Sequence, residues 1–158
     1  MQSLKNLVSI TTLYKEKVRN KKMSIKEVKR TERGWAGHYC CSKDCTFRRN
    51  TLLEYKDKKW VVSTVGCQIA RYNLGLSQKK GNVMPIGYNR YYETMAFESS
   101  HDEYDDADVS KEIEFDSEWS IWGETWKDVI ERYGNPDLVA NKMHEKVVKE
   151  LMEKIKIG

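Results

Sequence analysis

The sequence predicts an α+β fold: an antiparallel sheet with C-terminal helices packed on one face. Two observations carry that prediction. From Leu52 to Phe97 the apolar residues keep the short period and β-branched or aromatic character of strands. After Thr125 the period lengthens to that of a helix and holds to the C-terminus. Strands followed by helices, without regular alternation, set the helices on one side of an antiparallel sheet.

The elements follow in order. Residues 1–22 read as an N-terminal extension: Leu4, Leu7, Val8, Leu13 and Val18 give a loose helical spacing that ends in a basic run. Residues 23–158 form a single α+β domain. Ile25–Thr31 alternates weakly, and Gly34–Tyr39 reads as a short strand flanked by turn residues. Leu52–Tyr55 and Trp60–Val65 are joined by the polar Lys56-Asp57-Lys58-Lys59, which predicts a β-hairpin. Gly75–Gly87 is a loop, and Tyr88–Phe97 is a further strand rich in aromatics. Across Asp108–Glu118, Val109, Ile113 and Phe115 share one face while Glu112, Glu114 and Asp116 share the other, as in a half-solvated strand. Thr125–Tyr133 is a short helix that Gly134 closes in a left-handed conformation. Asn135 then caps a second helix with Pro136 in its first turn, and Leu138, Met143, Val147, Val148, Leu151 and Ile155 mark its buried stripe.

At 158 residues the chain suits one domain, and 11% aromatic residues supply large apolar groups that disordered chains lack. No stretch approaches the roughly 20 apolar residues that span a bilayer. Leu4–Leu13 is broken by Lys5, Asn6, Thr11 and Thr12, unlike a signal peptide. The expectation is a cytoplasmic protein, acting in a host cell, without a membrane partner. Its charge is divided. Residues 1–60 hold 16 Lys and Arg against 6 Asp and Glu, whereas residues 61–158 hold 12 against 18. Ten of those carboxylates lie between Glu98 and Glu118.

In a reducing compartment four cysteines suggest metal binding or burial rather than disulfides. Cys41 and Cys45 have the spacing of a zinc knuckle, and His38 stands three residues before Cys41. Soft thiolates with an imidazole are a set that Zn2+ prefers, so His38, Cys41 and Cys45 are the candidate ligands of a small knuckle. The fourth is open among Cys40, Cys67, His101 and His144. The competing reading makes the cysteines small buried hydrophobes, and gives His144, between Met143 and Val147, a structural place on its helix. The chain has neither the His-x-Glu and Pro-Cys-x-x-Cys of zinc deaminases nor a phosphate loop or nucleophile elbow, so catalysis is not expected.

Two binding surfaces compete. Lys43, Arg48, Arg49, Lys56, Lys58 and Lys59, interleaved with Trp35, Tyr39, Phe47, Tyr55 and Trp60, suit phosphates and stacked bases. The carboxylates of Glu112, Glu114 and Asp116 instead suit a cationic protein groove, because alternate strand residues repeat at about the spacing of successive phosphates.

Arg33–His38, Cys45–Leu53, Val61–Gly66, Asn89–Phe97, Asp106–Val109 and Met143–Val148 together resemble a family of small proteins encoded by bacteriophages and prophages. The resemblance runs from Met23 to the C-terminus, with Gly123–Pro136 as an insertion and Cys40 peculiar to this chain. It implies a metal-binding anti-CRISPR protein, an inhibitor that binds a type II CRISPR effector of the host and blocks target-DNA loading. Within it His38, Cys41 and Cys45 match the metal-like motif. The alternative is a zinc-stabilised nucleic-acid-binding protein, and a metal-dependent enzyme comes third.

Overall fold

The computed structural model describes residues 27–34, 38–71, 80–115 and 119–158. The expected helix within residues 1–22 lies outside them. The best strand of the sequence becomes the centre of the sheet. In β3 (Lys58–Val65) every residue from Val61 onward is buried, because β3 is flanked by β2 (Arg48–Tyr55) and β6 (Arg90–Ser99). The β2–β3 hairpin closes over Lys56 and Asp57, with Lys56 at φ 58°. Its turn is shorter than the four-residue gap read from the sequence, since Lys58 and Lys59 already pair with Tyr55 and Glu54.

Antiparallel pairing then gives the order β1-β2-β3-β6-β7, with β1 at Lys29–Arg33 and β7 at Ala107–Glu112. β6 is long enough to hold two partners on its outer side. β8 (Ser120–Trp122) pairs with its first half and β7 with its second. A separate two-stranded ribbon joins β4 (Gln68–Ile69) to β5 (Val83–Met84).

The helices start where the sequence places them. Thr125 caps α1 (Trp126–Tyr133): its hydroxyl accepts from the Asp128 amide, and the Asp128 carboxylate accepts in return from the Thr125 amide. Gly134 follows at φ 67°. The Asn135 side chain accepts from the Leu138 amide and caps α2 (Pro136–Ile157), with proline in the first turn. Along α2, Val147, Val148, Leu151 and Ile155 pack on Val28, Leu53, Val62 and Ala96. Each such side chain contributes about 1.5–3 kcal/mol by leaving water. The other end of α2 joins α1 over Tyr91, Tyr92, Ile121 and Cys67. Alternation puts Leu52, Val61, Val65 and Phe97 on the opposite face. Coil covers part of that face: Tyr39 packs with Cys45, Val65 and Ile86, and the His38 ring lies 5.6 Å from that of Phe97.

Several expectations are corrected. No strand occurs at the described ends of Gly34–Tyr39, and Trp35–Gly37 lie outside the described residues. The Gly75–Gly87 loop contains β5, and its residues up to 79 are likewise outside. β7 ends at Glu112 rather than running to Glu118, and Val109 is 65% exposed instead of facing a core. A register shift between Phe97 and Ser99 moves β7 out of simple alternation. Leu138, assigned to the buried stripe of α2, is 52% exposed in its first turn.

Candidate functional site

Around the cysteines the chain turns tightly. The Ser42 amide donates to Tyr39 O at 3.1 Å, and a single 3-10 turn (Ser42–Asp44) is closed by Asp44 N to Cys41 O at 3.0 Å. This geometry sends Cys45 in a different direction from Cys40 and Cys41. Cys40 and Cys41 are exposed, with their sulfurs 3.7 Å apart. Cys45 turns inward, forms a bridge with Gln68, and has its thiol pushed up to about 11, chiefly by burial.

His38 faces elsewhere. Its Nδ1 lies 2.8 Å from Ser63 Oγ and its Nε2 lies 3.4 Å from Glu93 Oε2, a carboxylate that also pairs with Arg90 at 2.5 Å. The structure therefore does not bring His38, Cys41 and Cys45 together as a ligand set. Among the described residues no group of three or more His, Cys, Asp or Glu is placed to hold a metal ion. The fourth-ligand candidates are dispersed too. Cys67 is buried against the Thr46 hydroxyl at 3.1 Å, and His101 is exposed. His144 is fully buried, its two ring nitrogens engaged by Thr51 and Thr64.

The two candidate binding surfaces lie on different parts of the sheet. Arg49 points to the α2 face, where it pairs with Glu145 and contacts Glu32 at 3.4 Å and Asn141 at 3.3 Å. Arg30 joins the cluster, donating to Glu145 at 2.7 Å and also to Glu32. The Arg30 and Arg49 hydrogen bonds hold the Glu145 carboxyl down at about 2 despite partial desolvation. Lys59 pairs with Asp105 at 2.6 Å and Lys29 with Glu54 at 2.6 Å. Of the basic stretch, Arg49 and Lys59 are thus answered within the molecule, whereas Lys43, Lys56 and Lys58 are exposed. Arg48, on the opposite face of β2, remains exposed.

At the β7 border, Glu112 and Glu114 are exposed, and Asp116 lies outside the described residues. Lys111, between Val109 and Ile113 on the apolar side of the alternation, lies 3.2 Å from Asp108 and 4.0 Å from Glu98. At the other end of the strand order, Arg33 of β1 donates to Tyr104 O at 2.7 Å and Asp105 O at 2.9 Å, tying the acidic loop to β1. Val109 is exposed on β7 itself, and Tyr104 is 62% exposed in the loop held to β1.

Sequence reading missed two features. Tyr88, taken for a strand residue, is 90% exposed in the turn before β6, close to a platform where Arg90 lies over the Trp122 ring at 5.7 Å. β8 is only three residues long, too short for a periodic signal. A groove of about 330 Å³ also opens between the hairpin and the end of α2, floored by Trp60, Ile113, Leu151 and Ile155 and rimmed by Lys56, Lys58 and Lys154. No helix among the described residues is long and apolar enough to cross a membrane.

No protein-family model matches the chain, and neither a curated protein nor a solved structure is significantly similar to it.

Proposed function

We propose that this chain is a binding protein, not a catalyst, and that it inhibits a host defence effector by occupying one of the effector's cationic surfaces. The resemblance to phage-encoded inhibitors directs the choice of effector to a type II CRISPR nuclease, with block of target-DNA loading as the outcome. The observation that supports this reading is the β7 border. β7 ends the strand order among the described residues; Glu112 and Val109 on it and Glu114 just beyond it are exposed. An unpaired strand edge with exposed apolar and acidic groups offers main-chain hydrogen bonds, contact area and charge to a basic partner. The β1–β2 side offers less to an anion, because Arg30 and Arg49 are already committed to Glu32 and Glu145.

The test is titration of the purified protein into a guide-loaded type II effector, reading target-DNA binding and cleavage. Loss of both, reversed by Glu112→Lys with Glu114→Lys, is the expected result. Unaltered DNA binding and cleavage at saturating protein overturns the proposal. Retardation of naked DNA, with a salt slope that Arg48→Ala reduces, transfers the assignment to the nucleic-acid reading.

A zinc ion on His38, Cys41 and Cys45 is a separable part of the proposal. It requires the His38 ring to leave Ser63 and Glu93, and Cys45 to give up a proton that burial retains. Structural zinc contributes roughly 10–16 kcal/mol in small domains, enough to drive such a rearrangement. Stoichiometric zinc in never-chelated protein supports it. Protein free of any transition metal removes it and leaves the docking proposal standing.

A further inference from the structure

Cys40 and Cys41 are neighbours in sequence, both exposed, and their sulfurs stand 3.7 Å apart in the Tyr39–Ser42 turn. Cys45 and Cys67 are buried. The molecule therefore sorts its thiols into an accessible touching pair and two sequestered singles. From this geometry we infer that in the metal-free chain Cys40 and Cys41 form a redox-reactive vicinal dithiol, a reversible modification site for low-molecular-weight disulfides.

The chemistry is a two-step exchange. The thiolate of one cysteine attacks a sulfur of the small disulfide RSSR, forming a mixed disulfide and releasing one RS−. The neighbouring thiolate then attacks the protein sulfur of that mixed disulfide, closes the Cys40–Cys41 bond and releases the second RS−. The two protein thiols lose two electrons, RSSR gains them, and the two thiol protons end on two RSH. The second step is intramolecular between groups already in contact, so it outruns attack by further solvent thiol.

Backbone geometry sets the character of the product. Adjacent Cα atoms across a trans peptide are about 3.8 Å apart, below the roughly 4.4–6.8 Å usual for a disulfide. The closed ring is strained and correspondingly easy to reduce, which suits a switch and not a staple. The ring also lies in the turn that leads into the Cys45 bridge to Gln68, so closing it acts on a segment packed against the sheet.

The experiment exposes the full chain, shown by elemental analysis to be free of metal, to glutathione disulfide, quenches in acid, and counts thiols in denaturant before peptide mass analysis. A fall from four thiols to two, with the peptide carrying Cys40 and Cys41 lighter by two hydrogens and no bound glutathione, is expected. Excess reduced glutathione should return all four. Cys40→Ser and Cys41→Ser should each stop at a stable glutathione adduct on the remaining partner. Both thiols unreacted, lasting glutathione adducts in the parent chain, or a Cys41–Cys45 link would each overturn the inference. So would an oxidised ring that survives excess reduced glutathione.

Discussion

The imidazole of His144 is buried 2.7 Å from the Thr51 hydroxyl, so α2 and the sheet are joined by a polar contact inside an apolar layer. Nδ1 of the same ring meets Thr64 Oγ1 at 2.8 Å, and Thr64 meets Thr94 at 2.8 Å. Both nitrogens are satisfied only while the ring stays neutral or its hydroxyl partners reorient.

This contact predicts acid sensitivity with a definite sign. Burial, followed by the charge of Arg49, lowers the His144 pKa from 6.5 to about 3. Below pH 6.5 the unfolded chain takes up a proton that the folded chain refuses. Stability is therefore full above that range and declines as pH falls toward 3, where the folded ring finally charges. At about 1.36 kcal/mol per unit the loss is on the order of 3–5 kcal/mol. Urea midpoints at pH 7 and pH 4 measure it. His144→Asn should be less stable at pH 7 but should flatten the dependence above pH 4.5. Glu145 acts in a lower window: its folded pKa is lowered from 4.5 to about 2, so its contribution is present above pH 4.5 and is lost on acidification through 2. A midpoint that is flat between pH 7 and pH 5 in the parent chain would contradict the assignment to His144.

The ion pairs at the β1–β2–α2 face should be modest and cooperative. Glu145 serves both Arg30 and Arg49, yet its side chain is 47% exposed, so solvent screens it. Glu145→Gln should lower stability by about 1 kcal/mol, and less at high salt. A double-mutant cycle with Arg49→Gln should show that the two substitutions are not additive, because they remove one shared contact. Additivity within error would mean that the Arg49–Glu145 pair contributes nothing.

Gly66 presents a steric test. It leads β3 out of the sheet beneath two side chains, and a Cβ there would stand 2.6 Å from Phe47 Cβ and 2.6 Å from Tyr92 Cε1. Neither can retreat easily, since Tyr92 is almost fully buried and its hydroxyl donates to Asp137 at 2.7 Å. Gly66→Ala should cost about 1–3 kcal/mol through overpacking. Gly34, where an added Cβ meets nothing within 4 Å, supplies the control. Equal denaturation midpoints for the two alanine variants would refute the tight contact at Gly66.

The parts of the fold that could be read in the sequence are those governed by neighbours in the chain. The Trp60–Val65 strand, the short helix that Gly134 ends and the Asn135-Pro136 start need only local chemistry, and each appears as read. The candidate site was harder because its partners are remote. Nothing near His38 announces that Ser63 and Glu93 will engage its ring, so its spacing from Cys41 looked like a ligand pattern. The alternation held over Glu112–Phe115, where Ile113 and Phe115 pack on the core and the glutamates are exposed, but failed at Val109 for a tertiary reason. β6 gives its outer side to β8 as well as β7, which leaves β7 a short edge with Val109 in solvent.

That edge gives the last prediction. Glu112 is exposed on β7 opposite Phe97, and Glu114 is exposed just beyond it, its carbonyl accepting from Lys154 at 3.0 Å. Neither carboxylate takes part in an ion pair among the described residues, so folding does not depend on their charge. Glu112→Lys with Glu114→Lys should leave the denaturation midpoint within about 0.5 kcal/mol of the parent, as surface substitutions do. Binding to a cationic protein surface should weaken at least tenfold, mainly through slower association at low salt, because long-range attraction is what the reversal removes. Association rates measured at two ionic strengths separate the causes. A salt-independent loss would indicate a disrupted edge rather than lost charge, and unchanged affinity would place the partner on another face of the molecule.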